Sequence, residues 1–381
     1  MAFVFNTVSE EEITRSLNGK QMMHAIRYDG DDQLFVTGRP GSGKTTISLL
    51  RAVFLHNQPD KKVLLLTFQN LLVTSLRNSV PVDMRLNINT FDSWSGQKKS
   101  VLKLDFNASV EQLTELLSTQ GERYYEIIID EAQDLPSNVF QPLFAITDRL
   151  TIGADTGQKV HPEGTTAAEI EEIISQTHGI HDVELQYNYR NFFEIYDFAR
   201  QFVPHMPFAN GALLLDSMPK GKGRLPEVIQ TADEIKTILN LLEQHTGENI
   251  AVLFESIAQV DSFSEALKQH NLRHTKYHSK LEWRDKRTTL ANVESIVVTT
   301  YKSAKGLEFQ TVIMPHAERL RPSVGNFFNP EHCYVGCTRA TQNLYLTYRG
   351  DKLPYCILSF RAASYTHQPI PQLTEENDLP F

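Results

Sequence analysis

The chain has 381 residues, which at ~150 residues per domain suggests two or three domains and excludes a single small module. Hydrophobic residues at 41% and charged residues at 22% suit folded domains with substantial cores and exclude disorder as the default. Lys plus Arg number 37 against 46 Asp plus Glu, a formal charge of −9, so any nucleic-acid contact must be local and not made by bulk positive charge.

The opening MAFVFNTVSEEE has no basic segment followed by an apolar one, and no run approaches the ~18 apolar residues of a membrane span. A cytoplasmic protein without membrane contact is expected. The first strong element is QLFVTGRPGSGKTTISLLRAVFLH, which predicts strand, Gly-rich loop and helix. Its GRPGSGKT (38–45) matches GxxxxGK[ST] in the context that motif requires. The glycines let backbone N–H groups converge on phosphate oxygens at a helix N-terminus, Lys44 reaches the terminal phosphates and Thr45 is placed to hold Mg²⁺. The phosphate-binding candidates are Gly38, Gly41, Ser42, Gly43, Lys44, Thr45 and Thr46.

Strands follow at 62–68 (KVLLLTF) and 126–130 (EIIID). In YYEIIIDEAQD the isoleucines bury a strand and deliver Asp130 and Glu131 at its end. Beside a phosphate loop, Asp130 suits a Mg²⁺ ligand and Glu131 a base for the water attacking a γ-phosphate; a solvated acidic turn capping a helix is the plainer alternative. Further strands are expected at 149–153, 248–254, 294–300 and 309–315, alternating with helical patterns. That alternation indicates an α/β fold with parallel sheets. Pro and Gly punctuate 205–227, read as a loop or insertion within the second domain. Cys333, Cys337 and Cys356 are too few for a disulfide framework. Buried thiols are expected, with a zinc site including His332 as the alternative. Residues 366–381 hold three prolines and no Lys or Arg, and read as an extended acidic tail.

The order and spacing of these motifs resemble superfamily-1 helicases of the UvrD/Rep/PcrA type over most of residues 17–347. The resemblance implies two RecA-like P-loop NTPase domains with ATP and Mg²⁺ at their interface, the first over 1–182, the second over 183–365, and the tail beyond. LNGKQMMHAI (17–26) resembles the adenine-reading motif, implying that Gln21 bonds the base. TIGADTGQKV (151–160) implies that Gln158 lies near the γ-phosphate and attacking water. LQYNYRNFFEI (185–195) implies that Tyr189 stacks on adenine and that Arg190 is an arginine finger. TTYKSAKGLEF (299–309) implies a ribose contact from Glu308, and YVGCTRATQNLYL (334–346) a second γ-phosphate arginine, Arg339. The implied catalytic set is Lys44, Glu131, Gln158, Arg190 and Arg339. Charge developing in phosphoryl transfer is then stabilised only when cations of the second core close on the first.

In the resembled family a single strand crosses the tops of both cores, held by phosphate contacts and stacking aromatics. The matching residues are Phe68 in LTFQN, Thr90 and Phe91 in NTFDSW, and Thr300 and Lys302 in TTYKS. Core packing is the alternative for both phenylalanines. Two departures stand out: Asp92 occupies the place of a family histidine and should repel phosphate, while Lys302 replaces another histidine in the phosphate-friendly direction. Fewer than forty residues separate Asp92 from DEAQD, and 46 positions separate Phe254 from Thr300. Neither gap holds the large accessory domains of the family.

The resulting expectation is an ATP-dependent translocase or helicase on single-stranded DNA or RNA, with DNA and 3′-to-5′ polarity implied by the resemblance. The alternative is an ATP-switched regulatory or scaffolding subunit that binds an effector without processive unwinding. The terminal TEENDLPF resembles the acidic tip of bacterial single-stranded-DNA-binding protein, implying as partner a protein that reads such tips, or an effector such as a nuclease.

Overall fold

Branched apolar residues dominate the strands at the centre of the chain's two sheets, such as EIII at 126–129 and IAVLF at 250–254, as expected where helices cover both faces. The computed structural model describes residues 13, 16, 18–81, 83–155, 164–206, 218, 221, 223–321 and 329–370. In the first domain β1 (Gln33–Gly38), β2 (Val63–Thr67), β3 (Asn87–Thr90), β4 (Glu126–Ile129), β5 (Leu150–Asp155) and β6 (Ile180–Leu185) lie in the order β3-β2-β4-β5-β1-β6. In the second, β7 (Glu227–Gln230), β8 (Ile250–Phe254), β9 (Thr275–Lys276), β10 (Ile296–Thr300), β11 (Phe309–Met314), β12 (Ala340–Tyr348) and β13 (Thr366–Gln368) lie in the order β13-β7-β12-β11-β8-β10-β9.

Every strand pairing among the described residues is parallel. Two RecA-like α/β domains therefore stand as expected, and all seven expected strands are present. Two boundaries differ. β6 pairs with β1 from Gln33 opposite Ile180 to Gly38 opposite Leu185, so the first sheet extends past 182 to Leu185. Thr366–Gln368 pairs with β7, so the sheet captures the first residues assigned to the tail. Residues 371–381, with the acidic tip, lie outside the described residues.

The helices carry their own start signals. Ser109, Thr166 and Ser256 form reciprocal capping boxes with Gln112, Glu169 and Gln259. One apolar cluster is shared by the two domains, running from Leu49, Leu72 and Leu76 through Ile195 and Phe198 to Leu307 and Tyr334. Arg51, fully buried in the helix Lys44–His56, binds both Glu126 carboxylate oxygens at 2.6 and 2.7 Å. It also donates to the carbonyls of Ala25, Ile26 and Tyr28 at 2.8–3.3 Å, joining the helix Gly19–Arg27 to β4. The three cysteines are free and buried. No helix among the described residues is long and apolar enough to cross a membrane.

Candidate nucleotide site and nucleic-acid face

The phosphate loop leaves β1 at Gly38 and enters the helix Lys44–His56 through Gly43, whose φ of 102° only glycine adopts without strain. Gly41 has φ 77°, and a Cβ there would lie 2.5 Å from Asn188 Oδ1, so this glycine also admits the loop that carries Arg190. The helix start has no side-chain cap, leaving N–H groups aimed into the loop. Lys44 Nζ is buried and donates to the carbonyls of Gly38 and Arg39 at 2.8 and 3.1 Å, with Asp155 at 3.9 Å. Ser42 Oγ and Arg39 Nη1 are buried and have no hydrogen-bond partner among the described residues. These orphaned donors fit a polyphosphate guest. Thr46 is buried in the first turn of the helix.

At the end of β4, Asp130 accepts from Thr45 Oγ1 at 2.8 Å and Ser48 Oγ at 3.3 Å. Burial, then the charge of Glu131, pushes its carboxyl up to about 7. Adjacent hydroxyl and carboxylate oxygens from Thr45 and Asp130 are the hard donor set Mg²⁺ prefers. Glu131 occupies a left-handed backbone conformation, φ 55°, an arrangement that costs about 1–3 kcal/mol and persists where surroundings enforce it. Gln133 Nε2 donates to Glu131 at 2.5 Å, and Gln133 Oε1 accepts the Asp155 N–H at 2.9 Å. Burial would raise Glu131, but Lys305 and then Lys44 outweigh it and hold the carboxyl below its usual range.

Lys305 belongs to the second domain. Its Nζ lies 3.8 Å from Glu131 and donates to both oxygens of Asp134 at 2.8 and 2.7 Å. Sequence reasoning assigned roles to Lys302 and Glu308 and passed over Lys305, Asp134, Gln133 and Ser48. The available signal was the second lysine of YKSAKGLEF and the last two residues of DEAQD.

The loop after β6 supplies the other side of the cleft. Tyr189 N–H donates to the Gly41 carbonyl at 2.8 Å, and Asn188 Oδ1 accepts from the Arg190 and Asn191 N–H groups. Arg190 Nε donates to Glu308 Oε1 at 2.6 Å. Arg339 is buried and bonds the Val335 and Leu307 carbonyls and Thr338 Oγ1 at 3.0–3.3 Å. Burial and then the neighbouring Arg190 charge lower its guanidinium from the usual range. The Tyr189 ring is 43% exposed. Its hydroxyl accepts the Asn18 N–H at 2.6 Å, beside the exposed Gln21 on the helix Gly19–Arg27. Gln158 lies outside the described residues.

The strand-facing candidates divide into two groups. Phe68 is half-buried, and Lys302 is exposed. Thr90 instead caps the helix Phe91–Leu102 by accepting the Ser93 N–H at 3.1 Å, and Thr300 is buried, bonding Ser303 through both its hydroxyl roles. Phe91 is 7% exposed and packs in the core with its ring centroid 5.9 Å from that of Trp94. Packing, the alternative weighed for this side chain, accounts for its position. Asp92 is exposed at the same helix start.

Residues 23–159 match the AAA domain family, and residues 247–350 match the UvrD-like helicase C-terminal domain family. No curated protein matches the chain. Among solved structures, Pif1 helicase from Candida albicans superposes with a TM-score of 0.53 at 12% identity, covering 87% of this chain and 94% of that one. The C-terminal domain of a possible DNA helicase from Lactobacillus plantarum WCFS1 covers 47% of this chain and 98% of its own at 22% identity, with a TM-score of 0.34. An arterivirus nonstructural protein 10 helicase in complex with DNA covers 91% of this chain and 66% of its own at 13% identity, with a TM-score of 0.39. The likeness to Pif1 is one of fold. Taken with the two domain matches, it makes the fold of this chain a pair of RecA-like domains, the second of which carries the UvrD-like helicase C-terminal match.

Proposed function

We propose that the chain is an ATP-driven translocase on single-stranded nucleic acid, working 3′-to-5′ on DNA and hydrolysing ATP with Mg²⁺. The observation that carries this reading is the cleft of mixed ownership. Lys44, Asp130 and Glu131 come from the first domain, and Lys305, Glu308 and Arg339 come from the second. Hydrolysis is then sensitive to how the two cores sit, which is what a motor requires.

The loop 38–45 and Lys44 hold the phosphates, with Ser42 and Arg39 offering their unused donors. Thr45 and Asp130 would hold Mg²⁺, which supplies charge neutralisation at the phosphate oxygens when bound. Glu131, kept ionised by Lys305, accepts the proton of the attacking water while Gln133 fixes its carboxylate. Arg339 and Arg190 stabilise the charge that develops on the transferring group, and Arg190 must leave Glu308 to do so. Glu308 is then free for the ribose. Gln21 and Tyr189 receive the base.

Phe68 and Lys302 are the contacts proposed for the strand, one stacking and one neutralising phosphate. The segments where accessory domains would insert hold only the helices Phe91–Leu102 and Val110–Thr119 before β4, and the helices Ile257–Gln269 and Trp283–Ala291 around β9. Translocation without strong autonomous unwinding follows. The acidic tip is proposed to recruit a protein that reads such ends, which deleting 374–381 and comparing pull-down partners tests.

The decisive measurement is ATP hydrolysis with and without single-stranded DNA or RNA. Several-fold stimulation that disappears in Lys44→Ala and Glu131→Gln is expected. ATP retained tightly by a chain indifferent to every strand would instead point to a nucleotide switch that presents an effector.

A further inference from the structure

A cleft of about 430 Å³ opens in the second domain, outside the phosphate site, and falls within the range of small-ligand pockets. Its wall holds a directional chain of hydrogen bonds. Thr311 Oγ1 donates to one Glu248 oxygen at 2.5 Å, while His245 Nδ1 lies 3.1 Å from the other. A carboxylate only accepts, so His245 carries its proton on Nδ1, and Nε2 accepts from the Tyr345 hydroxyl at 2.9 Å. Burial and then the Glu227 charge raise the Tyr345 hydroxyl, and the nearby Arg224 guanidinium opposes them. Asn343 Nδ2 completes the chain by donating to Thr311 Oγ1 at 3.0 Å.

This wiring engages both oxygens of Glu248 and fixes each donor's direction. What remains for a guest is the Arg224 guanidinium, the amides of Gln244 and Gln342 at the rim, and the half-buried Phe192 ring. A ring face, paired amide donors and acceptors, and a guanidinium match respectively the face, edge and phosphate of one nucleotide. The wall is built by close approach. A Cβ on Gly223 would sit 2.4 Å from Phe192 Cβ, and Glu194 accepts the Gly221 and Gly223 N–H groups, fixing the segment that carries Arg224.

We propose that this cleft is a second ligand site that takes a nucleoside monophosphate, distinct from the phosphate loop and coupled to it. The coupling has a short route. Phe192 directly follows Arg190 and Asn191, and Asn191 Nδ2 binds the carbonyls of Thr338 and Ala340 on either side of Arg339 at 3.1 and 2.6 Å. A guest stacked on Phe192 steadies the segments that carry both arginines.

Calorimetric titration of the full chain with AMP, GMP, CMP and UMP tests this, with inorganic phosphate and the four nucleosides as separate arms. Arg224 and Gln342 are exposed, so their alanine variants keep the fold, which a thermal melt verifies. At least one monophosphate is expected to bind once per chain, about tenfold more weakly in Arg224→Ala and in Gln342→Ala, and unchanged in Lys44→Ala. Absence of binding by all four overturns the proposal. So does loss of binding in Lys44→Ala but not in Arg224→Ala, which assigns the ligand to the phosphate loop, and so does phosphate alone binding as tightly as the nucleotide.

Discussion

Lys305 of the second domain places its ammonium between the two carboxylate oxygens of Asp134 in the first, with both side chains buried. Burial wins over this attraction and pushes the Asp134 carboxyl up to about 6. Removing one partner leaves an uncompensated buried charge. Lys305→Met is expected to cost about 3–5 kcal/mol in urea unfolding. Lys305→Met with Asp134→Asn should recover part of that stability. Neither variant should recover strand-stimulated hydrolysis, because Glu131 has also lost its nearest cation.

Phe68 and Phe91 should separate binding from stability. Phe91 lies in the core, so Phe91→Ala is expected to destabilise by about 3–5 kcal/mol. Phe68 is only half-buried, and Phe68→Ala should weaken single-strand binding by about 1–3 kcal/mol with a smaller shift in Tm. Fluorescence anisotropy with a labelled oligonucleotide and a thermal melt read the two effects independently. Equal binding loss in both variants at matched stability would return Phe91 to the strand path.

Gly41→Ala should be more damaging than an exposed glycine change. The new Cβ meets Asn188 Oδ1 at 2.5 Å and Arg190 Cβ at 2.9 Å in a backbone conformation that alanine resists. The arginine loop must shift, so kcat should fall by about tenfold or more, equivalent to ≥1.4 kcal/mol. Gly121 has a similar positive φ but open space around it, and Gly121→Ala should leave kcat unchanged.

His332 predicts an acid-sensitive second domain. Burial, then the Lys302 charge, pushes its imidazole down to about 4, while the unfolded chain titrates near 6.5. The unfolded state therefore binds more protons between these values, and stability is lost as pH falls from about 6.5 to about 4. His332→Gln should flatten that part of the urea-midpoint profile. A phosphate strand bound at Lys302 should reduce the slope by offsetting the cation that faces the imidazole.

The elements legible in advance were those whose meaning is local. GRPGSGKT carries its own turn, N-terminus and lysine within eight residues, and the buried strands announce themselves by uninterrupted isoleucine, leucine and valine. β9 and β13 have two and three residues and join as edges by register alone, so no periodicity could reveal them. Lys305 and Asp134 were hidden for a different reason. Their pairing joins positions 171 apart, and an ordinary lysine beside an ordinary acidic turn reads as solvent-facing until the two cores meet. Thr90 and Phe91 sat in the expected motif, but the helix they begin uses one as a cap and the other as packing.

The Arg51 fork has a consequence for how the molecule can respond to nucleotide. By riveting the end of the helix Gly19–Arg27 to Glu126, it makes that half of the proposed base slot a fixed anvil, with Tyr189 on the opposite loop expected to be the moving jaw. A distance probe between residues 27 and 51 should stay constant through the nucleotide cycle, whereas one between residues 27 and 189 should report every opening stroke.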